Sequence, residues 1–185
     1  MGGRLPIGCL WFSSLRPCLT GRMIVVSLAA LLASAACTGV APSNTAAGTA
    51  GQTTVPCGPT EVLVVHHHSH LTVVVRGAVR EVPALIGITT SSICWLHTHD
   101  VTGVIHIEAG DSRPLTLGDF FAVWGTSLSP TSLAGATAGA GEEVRVTVNG
   151  IDIAGDPRGI VLNNLDDIVV QLGPPYATVP PYFHK

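Results

Sequence analysis

The histidines of this chain recur at intervals of two, and that interval constrains its fold more than any other feature. Seven of the eight histidines lie between positions 66 and 106. His66, His68 and His70 alternate along one segment. His97 and His99 repeat the interval, with Asp100 directly after them, and His106 with Glu108 repeats it again. In an extended strand every second side chain projects from the same face. Three short segments therefore each offer two or three imidazole or carboxylate groups in register, while His67 turns the other way. Neutral imidazole binds zinc, copper, iron and nickel well, and three or four such ligands make a site. The candidate metal ligands are His66, His68, His70, His97, His99 and His106, with copper or zinc as the expected ion. Asp100 and Glu108 are expected as further ligands or as groups that orient an imidazole from behind. His184, in the C-terminal tail, is expected to play no part in metal binding. Each segment alone also fits a solvated polar strand, a metal-scavenging tract or a turn with satisfied histidines. Their concurrence in one small domain favours a specific site.

The rest of the chain reads mainly as strands. Val62 to Val75 is rich in β-branched residues, and Arg76-Gly77 separates it from Val79 to Val82, as a tight hairpin turn would. Pro83 stops that second strand or places it on an edge. Val144 to Asn149, Gly150 and Ile151 to Ile153 form a clearer hairpin, since Asn-Gly suits a type I′ turn. Val104 to Glu108 and Ile168 to Leu172 add two strands. One segment has a different period: Leu117, Phe120, Phe121 and Trp124 fall on one helical face. Thr116 with Asp119 can cap its start, and Gly125 can end it. This aromatic stripe is read as core. Ser127 to Gly141 reads as a small-residue loop. The expected class is α+β, mostly antiparallel strands with one main helix over 117–124, the second half arranged like a β-grasp.

The N-terminus bears on the compartment. Ile24 to Ala36 is apolar but too short to span a membrane, which takes about 20 residues. Behind Arg4, Arg16 and Arg22 it fits the apolar region of a secretory signal. Starting at Met23 would leave no basic residue ahead of it, so an earlier start is expected. Ser34-Ala35-Ala36-Cys37 resembles a bacterial lipobox, in which the cysteine is acylated. The expected organisation is a lipoprotein signal peptide over 1–36, a flexible tether over 37–56, one metal-binding domain over 57–173 and a proline-rich tail over 174–185. Ordinary cleavage nearby, with Cys37 unmodified, is the plainer alternative. Cleavage before Cys37 removes three of nine basic residues and none of the twelve acidic ones, leaving a net charge of −6. Such a surface argues against nucleic acid or anionic lipid as a partner. The expected membrane contact is the lipid anchor, on the extracytoplasmic side, with an envelope protein as a further possible partner.

Two of the five cysteines precede Cys37, which leaves Cys57 and Cys94. In an oxidising compartment the pair is expected to form a disulfide. The rival reading makes Cys94 a metal thiolate, three residues before His97. Motifs of known enzymes are largely missing. His99 and Asp100 do not continue as a metallo-β-lactamase motif, and neither H-E-x-x-H nor G-x-S-x-G occurs. Both methionines precede Cys37, so a blue-copper centre would lack its usual axial ligand.

The pattern resembles an uncharacterised family of exported or membrane-tethered prokaryotic proteins. Its motifs are H-x-H-x-H-L, then C-x-x-x-H-T-H-D, G-x-I-H-x-E and T-L-G-D-F-F-x-V-W-G. The matching residues are His66, His68, His70 and Leu71; Cys94 with His97 to Asp100; Gly103, His106 and Glu108; and Thr116 to Gly125. Cys94 departs from the pattern by standing one residue closer to His97. The resemblance groups these residues and implies no activity. The function expected from the sequence is an extracytoplasmic, lipid-anchored metal-binding protein for delivery, buffering or sensing. The alternatives are a small metalloenzyme with Glu108 as general base, or an adhesion or assembly module with structural histidines. No catalytic residue is assigned.

Overall fold

The computed structural model describes residues 54–184. The segments expected as signal peptide and tether, Cys37 included, lie outside the described residues up to residue 53. Residues 54–56, expected as the end of the tether, belong to the folded domain. Val55 is buried in the core, and the Pro56 carbonyl accepts a hydrogen bond from the Trp95 amide.

Twelve strands and one α-helix follow. They are β1 (Cys57–Gly58), β2 (Val65–Val75), β3 (Ala78–Arg80), β4 (Ile93–Cys94), β5 (Leu96–His97), β6 (Val104–Ala109), α1 (Leu117–Trp124), β7 (Leu128–Ser129), β8 (Ser132–Leu133), β9 (Ala136–Thr137), β10 (Glu143–Val148), β11 (Ile151–Ile153) and β12 (Asp167–Gly173). Both expected hairpins form. Arg76 and Gly77 have φ of 50° and 77°, and Asn149 and Gly150 have 52° and 78°. Two successive positive φ values are what a type I′ turn requires. The main sheet runs β11-β10-β12-β2-β6-β5, with β3 also paired to β2. Its pairs are antiparallel except β12 with β2, which is parallel, with Asp167 opposite His70. The sheet is therefore mixed at its centre.

Alternation along the strands gives this sheet two chemically distinct faces. Leu71, Val73 and Val75 of β2 join Ile105, Ile107 and Ala109 of β6 and Ile168, Val170 and Leu172 of β12 in one buried apolar cluster. Leu117, Phe120 and Phe121 of α1 belong to the same cluster, so the helix covers the apolar face. The helix starts as its sequence dictates: the Thr116 hydroxyl accepts from the Asp119 amide, while the Asp119 carboxylate accepts from the Thr116 amide. Gly125 ends it at φ 75°. The opposite face carries His66, His68 and His70, their ladder partners Glu108 and His106, and Asp167.

Two segments differ from the sequence reading. Ser127 to Gly141 is a three-stranded meander, β7-β8-β9, whose Leu128 and Leu133 are buried. Two leucines among glycines, alanines and threonines were enough to anchor it, though they show no period. The tail beyond Gly173 also folds back onto the protein. Gln171 exchanges two hydrogen bonds with Ala177, and the Tyr182 amide donates to Asp167 Oδ2 at 2.9 Å. The tail therefore crosses the polar face of the sheet. Among the described residues, no helix is long and apolar enough to cross a membrane.

Candidate metal centre

Pairing register brings the histidine segments together. In β2 and β6, His66 lies opposite Glu108 and His68 opposite His106; in β5, His97 lies opposite His106. His99 lies in the bend after β5, which brings its Nε2 to 3.3 Å from His97 Nε2. His97, His99, His106 and Glu108 form one group whose ligand atoms all lie within 4.8 Å of one another. His66, His68 and His106 form a second group on the same criterion.

The separations match what a metal demands. Metal–nitrogen bonds of about 2.0–2.1 Å in a tetrahedron set neighbouring donors about 3.3–3.4 Å apart. His68 Nε2 and His106 Nδ1 are 3.2 Å apart, and His97 Nε2 and His99 Nε2 are 3.3 Å apart. Glu108 Oε1 lies 3.4 Å from both His66 Nε2 and His106 Nδ1. Glu108 Oε2 lies 4.0 Å from His97 Nε2.

Burial and tautomer both favour ligation. His97 is fully buried, and its Nδ1–H donates to the Cys94 carbonyl at 2.9 Å. That bond leaves the lone pair on Nε2, which faces His99 and Glu108. Burial pushes the pKa of His97 below its ordinary value. Burial does the same to His68, helped by repulsion from His106 and His66, and to His106, helped by His99 and His97. Three imidazoles are thus held in the neutral form that can donate to a metal.

Glu108 is only 4% exposed, and its Oε2 is a buried atom with no hydrogen-bond partner. An unpaired buried carboxylate oxygen costs several kcal/mol by general experience, about 1–3 at the least. A cation among the imidazoles would remove that cost.

The sulfurs are not ligands. Cys57 and Cys94 form a disulfide across the β1-β4 ladder, closing a separation of 37 residues. A loop of that length contributes about 4 kcal/mol on the chain-entropy account. Cys94 serves the centre only through the carbonyl that orients His97. Behind that histidine, Gly87 has φ 71°, and an added Cβ would come 2.5 Å from the Leu96 carbonyl. A side chain there would push β5 out of place.

Two expected ligands are placed elsewhere. His70 Nδ1 bonds Asp167 Oδ1 at 3.0 Å, its Nε2 bonds the Thr102 carbonyl at 3.0 Å, and its ring stacks on Tyr182. Neither nitrogen is offered to a metal, although His70 shares the face of His68. Asp100 is exposed and accepts from the Thr102 amide and hydroxyl, which lower its pKa. It caps a turn at the edge of the site. His67 lines a separate cleft on the apolar side, with Val65 and Ile107.

His184, expected to play no part in metal binding, belongs to neither donor group but lies close by. The returning tail places it in a cleft of about 340 Å³ shared with His68, Asp100 and His106. Its Nε2 is also buried without a hydrogen-bond partner. Sequence distance hid this residue, and four intervening prolines suggested a free tail. The chain matches no protein-family model, no curated protein and no solved structure.

Proposed function

We propose that this protein is an extracytoplasmic, lipid-anchored metal-binding protein that delivers, buffers or senses copper or zinc. The observation that carries the reading is Glu108, a buried carboxylate with an unpartnered oxygen, surrounded by imidazole nitrogens at ligand–ligand spacing. His66, His68, His97, His99 and His106 are its ligands together with Glu108. The imidazole-rich donor set suits copper or zinc better than calcium or magnesium, which prefer oxygen. The disulfide fits an oxidising compartment. The lipobox-like Ser34-Ala35-Ala36-Cys37 supports anchoring through Cys37. As a general base, Glu108 would need an oxygen open to substrate, whereas its oxygens face His66, His97 and His106. That favours a binding role over the metalloenzyme alternative.

The test is metal analysis of protein purified without a polyhistidine tag, combined with melting curves. Copper or zinc should be recovered in whole-number stoichiometry. Added ion at 100 times Kd should stabilise the fold by about 2.7 kcal/mol. The double variant His97→Ala, His99→Ala should lose that shift. Weak, sub-stoichiometric binding spread equally over all histidines would defeat the proposal. In cells, Cys37→Ala should release the protein from membranes or block its processing.

A further inference from the structure

We infer that the histidine cluster is a two-ion centre in which Glu108 is the bridging carboxylate. The inference rests on the metal-binding reading above and adds the number of ions and the role of one residue. A single coordination sphere with bonds of about 2.1 Å spans at most about 4.2 Å between opposite donors. The six donors of this centre do not form one group. They fall into two, and only His106 belongs to both.

Glu108 belongs to the inner group, and its two oxygens approach different imidazoles. Oε1 lies 3.4 Å from His66 Nε2, a member of the outer group alone, and 3.4 Å from His106 Nδ1, the residue common to both. Oε2 is nearest His97 Nε2 of the inner group and has no hydrogen-bond partner. A carboxylate holding one ion in a single group would keep both oxygens on that side. Here Oε1 reaches His66, which the inner group does not include, while Oε2 faces His97, as a carboxylate between two ions does. Two-metal sites place their ions about 3.5–4 Å apart, a separation that one carboxylate spans.

The inner ion is held by His97, His99 and Glu108 Oε2, and the outer by His66, His68 and Glu108 Oε1. His106 Nδ1, 3.2 Å from His68 Nε2, goes to the outer ion. Burial separates the two positions. His97 is fully enclosed, whereas His66 has a side chain 47% exposed. The outer ion should therefore exchange faster. Charge follows the same order: Glu108 is the only carboxylate in either group, and Asp100 lies farther out on the cleft beside His68 and His106.

The experiment titrates the tag-free, metal-stripped protein with Zn²⁺ for stoichiometry and with Cu²⁺ for electron paramagnetic resonance. Wild type should bind two Zn²⁺ per chain. Its Cu²⁺ signal should grow to the first equivalent and then fall as the second couples to it through the carboxylate. His99→Ala and His66→Ala should each bind one Zn²⁺, and the residual ion of His66→Ala should exchange more slowly. Glu108→Gln should lose the coupling and restore full spin intensity. If that variant does not fold, the two histidine variants still decide stoichiometry. One Zn²⁺ per chain in wild type, or two Cu²⁺ that never couple, would overturn the bridged pair while leaving the metal-binding reading intact. No bound Zn²⁺ or Cu²⁺ at all would overturn both.

Discussion

His70 and the pair His66 and His68 stand on the same face of one strand, yet their surroundings differ in kind. Around His70 every bond is made: Asp167 takes one nitrogen, the Thr102 carbonyl takes the other, and Tyr182 covers the ring. Around His66 and His68 the neighbours are mostly other imidazoles, and the one carboxylate leaves a buried oxygen unpaired. The first arrangement is complete as protein. The second leaves donors positioned to hold a cation. Two-residue spacing creates both, and the partners across the sheet decide which histidine becomes scaffold and which becomes ligand.

The largest effect expected from breaking this comparison lies on the scaffold side. Asp167→Ala removes the acceptor of both His70 and the Tyr182 amide. It should cost about 3 kcal/mol in urea unfolding, with metal stoichiometry unchanged. Loss of metal in a still-folded Asp167→Ala would show that the two regions are one. On the ligand side the expectation reverses. Glu108→Gln should weaken metal binding and uncouple the bound ions, while the metal-free protein changes by less than about 1 kcal/mol because a buried charge has left the interior. A metal-free variant several kcal/mol less stable would make Glu108 scaffold.

A smaller effect is expected from pH. Burial lowers the pKa values of His68, His97 and His106. The unfolded chain therefore takes up protons at these positions first. Their contribution to metal-free stability is full above about pH 6.5. It is lost as pH falls through the lowered folded-state values. Melting temperature followed from pH 7.5 downward should fall, and the triple His→Ala variant at these positions should flatten that slope. A melting temperature that rises on acidification would contradict the burial argument. The smallest effect belongs to His67→Ala, which faces the apolar side: metal stoichiometry and exchange rates should not change.

Much of this was legible in residue order. Type I′ turns at Arg76-Gly77 and Asn149-Gly150, the capped helix from Leu117 and the common face of His66 and His68 all follow from local periods and turn chemistry. So does the disulfide, from the count of cysteines left after Cys37. What was not legible depends on pairing across long distances. His70 looks identical to His68 until Asp167 arrives beside it from 97 residues away. Glu108 looks like a flanking carboxylate until β2 buries it against His66. Leu128 and Leu133 carry no period, so their meander reads as a loop. His184 is invisible as a neighbour of His68 because its approach depends on the tail turning back.

The parallel pairing of β2 with β12 has a consequence for the order of events during folding. The antiparallel ladders β2-β6 and β6-β5 close within residues 65–109, early in the chain. The strand that makes β2 interior spans 167–173, almost at its end. Pairings of such long range form late and slowly. Until then, the seven histidines between positions 66 and 106 lack the strand that completes the sheet beside β2. The part of the polar face around His70 is completed only when β12 and the tail dock, through Asp167 and the Tyr182 ring. A centre that binds copper or zinc as proposed would then keep an ion set as much by where the chain finishes folding as by the intrinsic ranking of metals for imidazole.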